Sequence, residues 1–212
     1  MADGKIKVLL VDDHAIVRDG IRRVLSTADD IAVTGEAGNA HDTVRLAREQ
    51  EFDVALIDID LPGKNGLELL KQLRSEKSDM AVLILSMYAE DVYAVRALKL
   101  GASGFLSKSS EAAILVTAVR KVAAGGKYIS AAMAENLAGL LGGGASPYES
   151  LSNRELEILR LLAKGESLTQ IAETLHLNPS TVTTYRSRVL EKTGARNNAQ
   201  LLRCATENGL VT

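Results

Sequence analysis

The sequence predicts an α/β protein with a five-stranded, doubly wound parallel sheet, followed by a small all-α unit of four helices. Three observations carry this prediction. Short apolar runs alternate with segments of helical period through the first part of the chain. The runs are continuously apolar instead of alternating, as strands buried on both faces are. Beyond Ala124 the composition changes and the rest reads as capped helical segments. A length of 212 residues exceeds the usual size of one compact unit and agrees with two.

The strands are expected at Lys7–Asp12 (KVLLVD), Ile31–Ala37 (IAVTGEA), Val54–Asp58 (VALID), Ala81–Ser86 (AVLILS) and Ser103–Lys108 (SGFLSK). Ile16, Val17, Gly20, Ile21, Val24 and Leu25 recur at helical period between the first two, as do Ile114, Leu115, Ala118, Val119 and Val122 after the last. Parallel neighbours need crossover connections, so helices should cover both faces. In such sheets ligands bind beyond the carboxyl ends of the strands, where strand order reverses. Asp12, Asp13 and Asp58 fall at those ends, with Ser86 and Lys108 at the ends of two later strands. Acids gathered in one crevice raise each other's pKa unless a divalent cation sits among them, which makes Mg2+ the economical explanation. The set reads as a site for placing phosphate on a carboxylate.

The glycines at Gly125–Lys127, an apolar segment at Ala131–Leu141 and the run Gly142–Pro147 read as an interdomain helix and a hinge. The predicted organisation is a first domain at 1–126, a linker with a short helix at 127–147 and a second domain at 148–212. That second domain opens on a capping box, Ser152 followed by Glu155, ahead of Leu156, Leu159 and Leu162. Gly165 ends this helix. A second helix carries Ile171, Ala172 and Leu175, a tight turn spans His176–Pro179, and a third helix is expected from Ser180 or Thr181. A fourth, from Ala199 to Asn208, stops at Gly209. Two short helices joined by so brief a turn form a helix-turn-helix.

Composition narrows the function classes. Lys plus Arg at 25 against Asp plus Glu at 27 gives a net charge of −2, which argues against coating nucleic acid by bulk charge. From Glu149 to Thr212, eight basic and seven acidic residues leave +1, so a monomer should bind DNA weakly and paired modules on a two-fold site are expected. The single cysteine, Cys204, excludes an intrachain disulfide and fits a reducing cytoplasm, with packing in a helix core as its expected role. The N-terminal apolar run is too short for a signal peptide and no membrane-spanning stretch follows, so a cytoplasmic protein is expected, with no membrane among its partners.

The segments VLLVDDH, VALIDIDLPGKNG, LILS and GFLSK resemble a bacterial receiver domain, and the run from Leu151 to Gly194 resembles a LuxR-type helix-turn-helix. Together, in that order, they resemble a two-component response regulator of the NarL/FixJ class. The resemblance implies a flavodoxin-like receiver whose phospho-acceptor is Asp58, four residues before the Pro-Gly of the next loop. It further implies Mg2+ held by Asp12, Asp13, Asp58 and the backbone carbonyl of Asp60. Lys108 and Ser86 would contact phosphate, and Phe105 stands where receivers place a switching aromatic, here without a ring hydroxyl. The implied donor is a sensor histidine kinase or phosphotransfer protein. The implied target is double-stranded promoter DNA, read by a homodimer through Thr181, Thr183, Thr184, Arg186, Ser187, Arg188 and Lys192, with Val182 and Val189 facing inward.

Plainer readings exist for each residue. Asp12 and Asp13 suit the start of a helix through its dipole, Lys108 suits a solvated loop, and Ser86 suits a turn cap. His14 and His41 lack partners at ligand spacing and read as surface or satisfied polar residues, whereas His176 is expected to pack. Two other functions compete. Asp58 and Asp60 form the Asp-x-Asp pair of an aspartate-nucleophile phosphatase, although that pair normally sits on a first strand. A regulator whose first domain only dimerises, independent of phosphate, would not need the acid, hydroxyl and lysine together.

Overall fold

Apolar β-branched and leucine-rich runs form the five strands in the computed structural model of the protein, which describes residues 4–63, 65–77, 79–87, 90–131, 133–135 and 147–207. The chain divides into two compact units, Met1–Ala134 and Glu135–Thr212.

In the first unit the order is β1 (Ile6–Val11), α1 (Ala15–Ser26), β2 (Ile31–Ala37), α2 (Ala40–Glu49), β3 (Val54–Asp58), α3 (Gly66–Glu76), β4 (Ala81–Ser86), α4 (Glu90–Lys99), β5 (Gly104–Ser107) and α5 (Ala112–Ala123). All pairings are parallel and the spatial order is β2-β1-β3-β4-β5. The order reverses between β1 and β3, which places their carboxyl ends side by side. Alternation along the strands sends Val8, Leu10, Leu56, Leu83, Leu85 and Leu106 into one core with Leu115, Ala118, Val119 and Val122 of α5. Leu9, Ile57, Ile84 and Phe105 are buried on the opposite face.

The predicted α1 periodicity needs one correction. Val17, Ile21, Val24 and Leu25 turn inward to different degrees, but Ile16 is 88% exposed. The inward stripe is fixed by i, i+4, i+7 and i+8, and Ile16 lies one residue ahead of it, off the buried arc. Past α5, Tyr128 meets the outer edge of β5: its N–H donates to the Ser103 carbonyl (2.9 Å) and its carbonyl accepts from Phe105 N–H (3.2 Å). A Cβ on Gly104 would lie 2.5 Å from the Tyr128 carbonyl oxygen, so glycine is what permits this approach. Ala131 and residues 133–135 are helical, and the rest of the expected helix to Leu141, like the hinge to Ser146, lies outside the described residues.

The second unit opens with a 3-10 turn (Pro147–Ser150) followed by α6 (Asn153–Ala163), α7 (Leu168–Thr174), α8 (Pro179–Thr193) and α9 (Asn198–Glu207). Ser152 and Glu155 form the expected capping box, and Ser167 with Gln170 forms a second one at α7. Gly165 (φ +83) carries α6 into its turn. Leu156, Ile158, Leu159, Ile171, Val182, Val189 and Leu201 are buried together as its core. Two expectations change. The third helix begins at Pro179, because proline suits the first helical position and Asn178 caps it, accepting from Ser180 N–H at 3.0 Å. His176 is exposed, not packed: it takes φ 51 in the turn, where Leu177 N–H donates to Ala172 carbonyl (2.8 Å) in a Schellman closure. Cys204 is half-buried on α9. Asn208 and Gly209 lie outside the described residues.

Candidate functional site

The carboxyl ends of β1, β3 and β5 bring Asp12, Asp58 and Lys108 together. Asp12 follows β1, with its N–H donating to the Ala37 carbonyl (3.1 Å), and Asp58 is the last residue of β3. Lys108 follows β5, with its N–H donating to the Ser86 carbonyl at 2.7 Å. Its ammonium sits 2.6 Å from Asp12 Oδ2 and 2.8 Å from Asp58 Oδ2. Both carboxylates are buried, and Asp12 Oδ2 accepts no well-directed hydrogen bond beyond this ion pair.

Burial pushes the Asp58 carboxyl up to about 6 against an ordinary 3.8, and the Asp12 charge adds to the rise. Lys108 and the Asp60 backbone N–H oppose it. Burial would depress the Lys108 ammonium, but its hydrogen bonds to Asp12 and Asp58 and their charges raise its pKa overall. Asp58 is thus an ionised but poorly solvated nucleophile at neutral pH, the state in which a carboxylate oxygen is most reactive.

Asp13 is half-exposed at the mouth of the crevice, where His14 Nδ1 lies 2.8 Å from its Oδ1. His14 N–H also donates to Asp12 Oδ1 (2.8 Å). His14 is thus a surface residue with its polar groups satisfied, as expected, but its ring nitrogen also falls among the acids, which its sequence spacing did not suggest. Ligand atoms of Asp12, Asp13, His14 and Asp58 lie within 4.8 Å of one another, a spacing a single cation can bridge. A set dominated by carboxylate oxygens fits a hard divalent cation. The sequence signal for His14 was its position next to the acid pair, but a histidine adjoining two acids rarely identifies itself as their partner.

Gly66 builds the wall behind Asp58. As the first residue of α3, capped by Asn65, it donates its N–H to the Ile59 carbonyl (2.9 Å), and a Cβ there would lie 2.2 Å from the Asp58 carbonyl oxygen. Nothing in the spacing of the acids and the lysine marks Gly66, since its role is the absence of atoms. Ser86 is fully buried at the end of β4, paired in register with Ser107. Phe105 pairs with Ile84 and is fully buried on the face that Ser86 also points to, one alternation away. Asp60 is exposed through its side chain.

On α8, Thr183, Thr184, Ser187 and Arg188 are exposed and Thr181 is half-buried. Lys192 is exposed and Arg186 half-buried, and both also carry bonds within the unit. Lys192 Nζ donates to Glu155 Oε2 (2.7 Å) and to the Ser150 carbonyl (3.1 Å), since the buried Glu155 carboxylate requires a counter-charge. Arg186 Nε donates to Asn198 Oδ1 (2.7 Å) at the start of α9. The guanidinium of Arg188 lies 5.8 Å from the centre of the Tyr185 ring, a contact that was not anticipated. Among the described residues no helix is long and apolar enough to cross a membrane.

Comparison with known proteins places this geometry in a family. Residues 8–120 match the response regulator receiver domain, and residues 149–205 match the luxR family of bacterial regulatory proteins. The chain is 37% identical over 210 residues to response regulator UvrY of Escherichia coli K12, covering 97% of this chain and 95% of that one. It is 37% identical over 209 residues to response regulator GacA of Pseudomonas aeruginosa, covering 97% and 98%. It is also similar to the structure of RcsB from Salmonella enterica serovar Typhimurium bound to promoter P1flhDC in the presence of phosphomimetic BeF3−. That likeness has a TM-score of 0.62 at 25% identity over 94% of this chain and 97% of that one. With an acid crevice at the strand ends of its first unit and a capped helix-turn-helix in its second, the chain belongs to the two-component response regulators of the NarL/FixJ class, transcription regulators that join a receiver to a LuxR-type domain.

Proposed function

We propose that Asp58 accepts the phosphate that controls this regulator, and that α8 is the helix that reads promoter DNA. The observation that carries the first part is the buried Asp58 carboxylate, 2.8 Å from Lys108 and within 4.8 Å of two further acids. The donor is a phosphohistidine of a sensor kinase or phosphotransfer protein, or a small acyl phosphate. An Asp58 oxygen attacks phosphorus, the P–N or P–O bond to the donor breaks, and the leaving group departs with the electron pair. Asp12, Asp13, Asp58 and the Asp60 carbonyl would hold Mg2+, which would supply positive charge against the phosphoryl oxygens.

The remaining steps belong to side chains. Lys108 shifts from bridging two carboxylates to pairing with a phosphoryl oxygen, and the Ser86 hydroxyl donates to another. Phe105, on the same sheet face as Ser86, turns toward the space that Ser86 leaves. Phosphate acts by binding the switched arrangement better than the resting one, which shifts an existing equilibrium toward a dimer with α8 available. Thr181, Thr183, Thr184, Ser187 and Arg188 form the DNA-contacting face, in keeping with the promoter complex of RcsB. The regulator works in the cytoplasm and stores its phosphate instead of turning over many substrates, since the acids after β1 and the Pro-Gly loop after β3 belong to a chain that matches a receiver.

Incubation with Mg2+ and acetyl phosphate, followed by mass spectrometric mapping, should find one phosphate on Asp58 and tighter binding to selected duplexes. Phosphate on another residue, or equal stimulation in Asp58→Asn, would end this assignment. Sustained phosphate release from many monoesters would establish the phosphatase reading.

A further inference from the structure

We infer that α8 reads DNA chiefly through methyl groups: Thr183 and Thr184 present their methyls to the thymine methyls of the major groove, and their hydroxyls take no part in base recognition. The inference rests on α8 being the recognition helix and adds the chemistry of what it reads. Thr183 Oγ1 donates to the Pro179 carbonyl at 2.9 Å, and Thr184 Oγ1 donates to the Ser180 carbonyl at 3.0 Å. Ser187 Oγ donates to the Thr183 carbonyl at 3.1 Å. The three hydroxyls of Thr183, Thr184 and Ser187 on the exposed face therefore give their protons to their own helix. A threonine bonded in this way has its χ1 fixed, and the group left to face outward is the methyl.

The rest of that face sharpens the argument. Lys192 and Arg186 are bonded inside the unit, and Arg188 is exposed against the Tyr185 ring. The exposed surface around Thr183 and Thr184 thus offers two preset methyls, with the Arg188 guanidinium stacked on Tyr185 and the Lys192 ammonium held by Glu155. Among base edges in the major groove, thymine alone carries a methyl, so such a surface favours thymine at the positions under Thr183 and Thr184.

The test uses the full chain treated with Mg2+ and acetyl phosphate. Duplexes selected from a random pool are resynthesised with deoxyuridine in place of thymidine, a change that removes methyl groups alone. The selected sites should be enriched in thymine, and each contacted methyl that is removed should weaken wild-type binding about fourfold. The Thr183→Ser/Thr184→Ser double variant keeps both hydroxyls and loses both methyls, so it should bind thymine and uracil duplexes equally, and each single variant should lose about one methyl's share of the discrimination. Thr183→Val and Thr184→Val keep a methyl without the hydroxyl and should retain the discrimination. Equal wild-type binding to the two duplexes overturns the inference, as does loss of discrimination in the valine variants with retention in the serine ones. Circular dichroism checks that each variant folds; if a serine variant does not, the wild-type thymine and uracil comparison decides. A chain that selects no sequence at all overturns the recognition-helix assignment, an outcome distinct from selection without methyl dependence.

Discussion

Replacing Asp58 with Asn should stabilise the receiver by an amount that depends on pH. In the fold the Asp58 carboxyl is held up at about 6, against 3.8 in an exposed chain, because burial and the Asp12 charge outweigh Lys108 and the Asp60 N–H. The side chain is almost fully buried, so the difference converts to about 3 kcal/mol of penalty for keeping it ionised in the folded state. Between about pH 4 and about pH 6 the folded protein holds a proton that the unfolded chain has released, so stability falls as pH rises through that window and is level above it. Asn cannot ionise, yet it keeps an oxygen for Lys108. The advantage of Asp58→Asn over the wild type should therefore grow from near zero at about pH 4 to about 3 kcal/mol above about pH 6. The assay is urea denaturation followed by circular dichroism across this range, with the receiver transition identified as the one whose midpoint moves with Mg2+. Added Mg2+ should narrow the gap by stabilising the wild type more. Parallel pH curves for the two proteins would show that the site places no electrostatic load on the fold.

Three more predictions concern packing and caps. Gly66→Ala would set a Cβ 2.2 Å from the Asp58 carbonyl oxygen and 2.9 Å from Ile59 Cα, both backbone atoms that cannot swing aside. It should cost roughly 3 kcal/mol and abolish phosphate uptake, and an unchanged melting temperature would count against it. At Glu155, burial pushes the carboxyl up, but Lys192 and the Ser152 N–H prevail and hold it below its ordinary value. Its contribution is complete above the unfolded carboxylate range and is lost as pH falls through the lower folded value. Lys192→Met should destabilise the second unit by roughly 2 kcal/mol at neutral pH and move its acid unfolding upward, measured by helical circular dichroism, whereas an unaltered acid midpoint would remove Glu155 from the account. His176→Gly, at φ 51, should raise stability by roughly 0.5–1 kcal/mol, and a loss in thermal unfolding would show that the imidazole makes a contact worth keeping.

The sheet was legible because strands buried on both faces leave unbroken apolar runs, and Ile31–Ala37, Val54–Asp58 and Ala81–Ser86 carry the bounds the runs suggest. Asp12, Asp58 and Lys108 were legible as a group because strand ends in a parallel sheet converge wherever strand order reverses. What the pattern hid depends on space or direction. Ile16 has the composition of a core residue, but its angle around α1 decides that it faces water. Gly66 shows itself once a Cβ is placed beside Asp58. The bonds that Lys192 and Arg186 make within the unit were hidden because their partners, Glu155 and Asn198, lie 37 and 12 residues away. Side-chain hydroxyls on α8 pointed to hydrogen bonding, yet their protons go to the backbone four residues earlier.

The contact of Tyr128 with β5 also bears on self-association. A parallel sheet ending in a bare edge strand offers a template on which another chain can add a strand, and such edges promote aggregation unless they are covered. Here the backbone of Tyr128 takes up the groups that Ser103 and Phe105 would present to an incoming strand, and Gly104 leaves no side chain to push it away. A second copy therefore finds the β5 border already occupied at Ser103 and Phe105 and cannot extend the sheet through those groups.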